Sequence, residues 1–174
     1  WRNSLGNAMF HVMNDSEIPA DATVAVEYRL NGRKFRIDFM ISGKDSTGKE
    51  SLVIVELKQW SVVEFSALSD HVKTYVGGGL RDERHPSYQA WSYASHLTNF
   101  NEYVYENRLS VSACAYLHNC NSQQILQDKR YSEQTSKAPV FLKGDIASLR
   151  TLIKKEIVSG SNEEALRRID SSPM

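Results

Sequence analysis

The chain of 174 residues is 41% hydrophobic and 24% charged, an ordinary composition for a globular domain with a sizeable core, so 1–174 is read as one domain. Its 21 basic and 21 acidic side chains cancel, which excludes a protein held to nucleic acid by bulk positive charge while leaving room for a few local Lys and Arg. With no long apolar span, no signal-peptide pattern and only two cysteines, Cys114 and Cys120, the membrane, secretory and disulfide-framework classes drop out, and a reduced, cytoplasmic setting is expected.

Residues 4–13 predict a short helix with Leu5, Met9 and Val12 on one face, ended by the polar stretch 14–21 with its Pro19. Runs 24–30 and 33–41 read as strands joined by Asn31-Gly32, both of which tolerate positive φ in a hairpin turn. A two-residue turn there sets Glu27 opposite Arg36 and Ala25 opposite Asp38. It also puts Ile37, Phe39 and Ile41 on one face and Arg36, Asp38 and Met40 on the other.

After a polar loop, Leu52-Val53-Ile54-Val55-Glu56-Leu57-Lys58-Gln59-Trp60 opens as a continuous apolar run, the pattern of a strand buried on both faces. Alternation puts Ile54, Glu56 and Lys58 on the same face. Burying a charge costs several kcal/mol unless a partner or a metal compensates, so Glu56 and Lys58 mark this strand as functional.

Residues 72–76 read as extended, and Gly77-Gly78-Gly79 as a turn whose missing side chains would also let backbone approach a phosphate. From Pro86 to about 105 the apolar stripe Ala90, Tyr93, Leu97, Phe100 and Val104 predicts a helix, with Gln89 and Tyr93 four apart on the same face. An inward Gln89 is either a satisfied core glutamine or a functional group. Residues 109–117 alternate as a fourth strand, on which Cys114 is a core residue; with His118 and Cys120 it lacks the ligand count and spacing of structural zinc.

A polar loop, 119–136, holds a short helix around 123–129, and 138–142 is a fifth strand. Asp145 caps a helix over 146–158 that Gly160 ends, and 162–169 forms a last short helix. The fold class is therefore α/β, with a mixed central sheet of about five strands flanked by helices. No Gly-x4-Gly-Lys-Ser/Thr occurs, so any ATPase of a longer chain lies outside this segment.

Asp38 on one strand followed by Glu56-Leu57-Lys58 on the next resembles the Asp…(Asp/Glu)-x-Lys signature of the PD-(D/E)XK nuclease superfamily, with its restriction-endonuclease-like core. Gln89-x3-Tyr93 resembles the Gln-x3-Tyr helix motif of the RecB-like branch. The wider wording is similar to the N-terminal domain of bacterial proteins that carry a Schlafen-like DNA/RNA helicase domain. It comprises Val26-Glu27-Tyr28-Arg29, Arg36-Ile37-Asp38-Phe39, Val55 to Trp60, Val76 to Gly79, His85 to Ala90 and Phe141 to Asp145. The first helix lacks the acidic residue common in the superfamily, and Glu27 stands as its substitute.

The resemblance implies a metal-dependent nuclease acting on nucleic acid, DNA ahead of RNA. Mg²⁺ or Mn²⁺ would be held by the hard oxygens of Asp38 and Glu56, by the main-chain carbonyl of Leu57 and by Glu27. Glu27 is equally open to a cross-strand ion pair with Arg36. Lys58 would orient the attacking water and offset charge in the transition state. Gln89 and Tyr93 would contact phosphate or brace the metal site, and Arg81, Arg84 and His85 would contact phosphate, against the alternative of a solvated charged face. A helicase or ATPase domain downstream in the same chain is the expected partner, in keeping with a first residue, Trp1, that is not Met. Two rivals stand beside this: a non-cleaving nucleic-acid-binding or docking module attached to a helicase, and an RNase of the same fold.

Overall fold

The computed structural model of the protein describes residues 2–29, 36–161 and 163–174. Its centre is strand β3 (Glu50–Leu57), in which every residue from Ser51 to Leu57 is buried. An apolar run without alternation needs cover on both faces. Leu52 and Ile54 pack with Ala90, Tyr93, Ala94 and Leu97 of helix α2 (Pro86–Phe100) and with Leu166 and Ile169 of α7 (Glu164–Ser171). Val53, Val55 and Leu57 pack on the other side with Met9 and Val12 of α1 (Arg2–Met13) and with Leu149 and Ile153 of α6 (Ile146–Glu156). The result is a mixed sheet between two helical layers.

The sheet has five strands, in the order β1 (Thr23–Arg29), β2 (Arg36–Lys44), β3, β7 (Ser110–Leu117) and β8 (Val140–Leu142). β2 pairs antiparallel with both β1 and β3; β7 lies parallel to β3 and β8 parallel to β7. Cys114 is fully buried on β7. Among the described residues no helix is long and apolar enough to cross a membrane.

The β1–β2 register departs from the sequence expectation by two residues: Ala25 pairs with Met40 and Tyr28 with Ile37, which leaves Glu27 across from Asp38. The Asn31-Gly32 turn itself lies outside the described residues. Hydrophobic patterning fixes a register only to an even number of residues, because a shift of two returns every side chain to the same face. The faces differ too. Ala25 and Tyr28, three apart, pack against one cluster, and so do Ile37 and Met40, so Ile37 does not share a side with Phe39 and Ile41. The change of face falls where Glu27 adopts a left-handed backbone, φ 52°, uncommon outside Gly, Asn and Asp, while the pairing register is the same on either side of it.

The predicted long helix over 86–105 is two helices. Asn101 leaves the helical path at φ −85°, ψ 116°, its side chain accepts from the Val104 N–H at 3.2 Å to start α3 (Glu102–Glu106), and its Nδ2 donates to the Ile169 carbonyl at 3.0 Å. A cap inside an unbroken apolar stripe is invisible to periodicity.

A second, three-stranded sheet lies outside the sequence expectation apart from its middle strand. It comprises β4 (Val63–Phe65), β5 (His71–Val76) and β6 (Gly79–Arg84). Gly77 and Gly78, at φ 57° and 82° between the paired Val76 and Gly79, form the two-residue turn. Between β7 and β8 the chain forms α4 (Gln123–Leu126), a single 3₁₀ turn and α5 (Ser132–Lys137).

Asp145 stands at the N-cap of α6, where its carbonyl accepts from the Leu149 N–H at 3.0 Å, but its carboxylate makes no capping bond to the helix and accepts instead from the Leu142 N–H at 2.8 Å. Nor does Gly160 end that helix, which stops at Glu156. Its role is close approach, since a Cβ there would stand 2.2 Å from the carbonyl oxygen of Asp21. Backbone would have to move, so Gly160→Ala is expected to destabilise the fold by about 2 kcal/mol or more. Thermal denaturation of the pair checks it, and an unchanged midpoint would contradict the close approach.

Candidate active site

The β2–β3 ladder runs from Lys44–Glu50 to Phe39–Val55. One step further, where Asp38 and Glu56 would pair, a side chain takes over: Oδ2 of Asp38 accepts from the Leu57 N–H at 3.1 Å. On the other edge the Lys58 N–H donates to the Tyr116 carbonyl of β7 at 3.1 Å. The end of β3 is thus held by a carboxylate on one side and by backbone on the other, which fixes the directions of Glu56 and Lys58.

Around this point the chain collects five charges. Oε1 of Glu56 lies 2.7 Å from Nζ of Lys58, and Arg36 lies 3.1 Å from Glu27 and 3.7 Å from Asp38. Three carboxylates face two cations, an excess of one negative charge when all are ionised. Glu56 is 1% exposed, and its second oxygen, Oε2, is buried with no hydrogen-bond partner among the described residues. Burial pushes its pKa up to about 7, with Lys58 opposing the rise and Asp38 adding to it. Asp38 is also raised by burial, against the pull of the Leu57 N–H, Lys58 and Arg36.

Helix α2 brings Gln89 and Tyr93 to the same place. Nε2 of Gln89 donates to the Tyr93 hydroxyl at 2.8 Å. That hydroxyl is held above its ordinary pKa by burial and then by the charge of Glu56. Gln89 is therefore a partnered residue that orients the tyrosine.

The other sequence candidates stand elsewhere. His85 is fully buried at the N-cap of α2: Nδ1 accepts from the Ser87 N–H at 3.2 Å, and Nε2 bonds the Leu126 carbonyl at 3.0 Å. Burial pushes its pKa down to about 4, and a neutral ring with both nitrogens used inside the protein is a structural cap. Arg81 and Arg84 are exposed on β6, with the Arg84 guanidinium 4.9 Å from the Tyr88 ring centre. Glu27 gives its carboxylate to Arg36, the ion-pair reading of that residue.

Lys58 opens onto a cleft of about 850 Å³ between the end of β3 and the small sheet. Trp60 lines it, with Nζ of Lys58 5.4 Å from its ring centre, and so do Lys73 and Tyr75 of β5. Sequence pattern could not find these last two, because a residue's place on one small sheet says nothing about which strand end it faces.

Among the described residues no three His, Cys, Asp or Glu side chains converge as a ready-made metal cage. What converges is a pair of carboxylates, one with a bare buried oxygen, in a locally negative site. A small hard cation that keeps several of its waters fits such a donor set. No family model matches the chain, and no curated protein or solved structure matches it either.

The buried carboxylate has a consequence for stability. A glutamic acid's ordinary pKa of 4.5 rises to about 7 in the fold, so the folded protein binds the proton more tightly than the unfolded chain. Its contribution is fully present below about pH 4.5 and is lost as pH rises through about 7, at most about 3 kcal/mol. Glu56→Gln should therefore gain stability relative to the unmutated protein between pH 5 and pH 8, as read by melting temperatures at both pH values. A constant difference would mean that Glu56 is ionised throughout.

Proposed function

We propose that the protein is a metal-dependent nuclease, hydrolysing phosphodiester bonds of nucleic acid, DNA ahead of RNA, at the end of β3. The observation that carries this reading is Glu56: one carboxylate oxygen held by Lys58 and the other buried without a hydrogen-bond partner among the described residues. A buried carboxylate oxygen without a hydrogen-bond partner calls for one, and beside a second carboxylate a bound cation would supply it. The resemblance of Asp38 and Glu56-x-Lys58 to the PD-(D/E)XK signature supports the same chemistry.

Asp38 and Glu56 are the residues that would hold Mg²⁺ or Mn²⁺, with the Leu57 carbonyl as the family pattern's third donor. When bound, the ion supplies Lewis acidity, lowering the pKa of a water and drawing charge from the phosphoryl oxygens. Lys58 acts as a fixed donor. Its ammonium, positioned by Glu56, orients the attacking water and meets the charge that develops as the bond from phosphorus to the leaving oxygen lengthens. Asp38 holds Leu57 and so keeps Glu56 and Lys58 in register. Tyr93, braced by Gln89, closes the α2 side.

Two outcomes test this. Lys58→Ala is expected to lower the single-turnover cleavage rate by about 10²-fold or more while oligonucleotide affinity changes much less. Asp38→Ala is expected to abolish calorimetric Mn²⁺ binding. Labelled DNA and RNA oligonucleotides with Mg²⁺, Mn²⁺ or EDTA supply the assay. Equal, metal-independent product from the unmutated protein and both variants would withdraw the assignment.

A further inference from the structure

The cleft beside Lys58 has a composition that the hydrolytic site alone does not call for. Its far wall is the outer face of the small sheet, where Tyr75 of β5 lies across from Leu80 of β6, and Lys73 across from Glu64 of β4. Tyr75 is 70% exposed, Leu80 55% and Val62 61%. Large apolar groups left in water around a cleft mark a surface that something covers.

Tyr75 is also held. Its hydroxyl donates to the carbonyl oxygen of Gly78 at 3.0 Å, across the Gly77–Gly78 turn. The ring is thus exposed and yet fixed in direction, so little side-chain entropy remains to be lost when a flat partner stacks on it. Trp60, on the near wall, is part-buried against the core with Lys58 beside its ring.

The charges argue about the partner in the same way. Lys58 is matched by Glu56, and Lys73 lies across from Glu64, in a chain whose net charge is zero. Such a wall cannot grip a double helix by its phosphates, which takes a row of unmatched cations. It can hold unpaired bases by their faces, because base–aromatic stacking needs little charge and works only once the base is out of the duplex.

The geometry points to this cleft as a binding groove for single-stranded DNA, in which bases stack on Tyr75 and pack against Trp60, Val62 and Leu80, while Lys73 meets the backbone. DNA is the occupant because the lining around Tyr75 is mainly apolar, with Val62, Val76 and Leu80, and the Thr74 hydroxyl is already given to the Val62 carbonyl at 2.9 Å; Ser61 and Glu64 are the lining groups a ribose 2′-hydroxyl would have to use, and the RNA arm of the test reads that contact. The inference rests on the nuclease reading of the adjacent site and names its substrate: an unpaired strand whose phosphate reaches Lys58 when its bases occupy the groove.

The test is fluorescence anisotropy with a labelled single-stranded DNA 12-mer in EDTA, so that binding is read without cleavage, alongside the same sequence as duplex and as RNA. Tyr75→Ala, at an exposed position that leaves the core intact, is expected to weaken single-strand binding about tenfold or more. Tyr75→Phe, which keeps the ring, should stay within about threefold. With two lysines near the backbone, log affinity should fall with log salt at a slope of about −1.4. Unchanged binding in Tyr75→Ala, a slope steeper than about −4, or tighter binding to duplex or RNA would each overturn the groove. The two readings fail separately. Single-strand binding that depends on Tyr75, with no metal-dependent product, would retain the groove and sink the nuclease; metal-dependent cleavage indifferent to Tyr75→Ala would do the reverse.

Discussion

A single hydrogen bond, from the Leu57 N–H to the Asp38 carboxylate at 3.1 Å, lets a buried strand end in two charges without falling out of the sheet. Where the β2–β3 ladder stops, β3 has a backbone donor that would otherwise be buried and unpaired, at a cost comparable with a lost hydrogen bond. Asp38 supplies the acceptor. In doing so it is committed to the sheet edge and lies across from the position of Glu56, so the bond that maintains the strand also brings the two carboxylates together. Had a main-chain carbonyl taken that N–H, the sheet would have been more regular and the site would have lacked one of its oxygens.

Bringing carboxylates together inside a protein is unfavourable, and the surroundings divide the cost. Arg36 stands between Glu27 and Asp38, and Lys58 takes one oxygen of Glu56. Regular alternation from Met40 and Ile54 already sets Asp38 on the side of Glu56; the left-handed backbone of Glu27 falls where alternation slips on both β1 and β2, which turns Tyr28 and Ile37 toward that same side. Strain of this kind persists where its surroundings hold it in place, and it gathers at sites.

The sequence made the main sheet legible because its strands carry the strongest patterns: an unbroken apolar run in β3, alternation in β7 and turn residues between them. Asp38, Glu56 and Lys58 were legible for the opposite reason, as charges breaking a buried pattern. What escaped reading has physical causes. The register of β1 against β2 escaped because two pairings that differ by two residues present the same faces. Asn101 escaped because a cap needs no break in the apolar stripe around it. His85 looked like a phosphate contact beside two arginines and is a neutral cap, since sequence gives no measure of burial. The small sheet was legible only at β5; β4 has three residues, and β6 carries Arg-Asp-Glu-Arg where a strand would show apolar alternation.

That small sheet changes how the zero net charge should be understood. A chain with equal numbers of acids and bases looks poorly suited to a polyanion if its grip is purely electrostatic. Here Lys58 is paired with Glu56 and Lys73 lies across from Glu64 on the sheet, while the large exposed side chains are the aromatic Tyr75 and the aliphatic Val62 and Leu80. Affinity that comes from stacking does not require net charge, and it discriminates by pairing state, because a duplex keeps its bases' faces to itself. The matched charges at the end of β3 are then free to serve a localised purpose, in which an ammonium held 2.7 Å from Glu56 is worth more for its fixed position than for its contribution to long-range attraction. Under the proposed function, neutrality overall and charge at one point are compatible, because binding and chemistry would be carried by different walls of the same cleft.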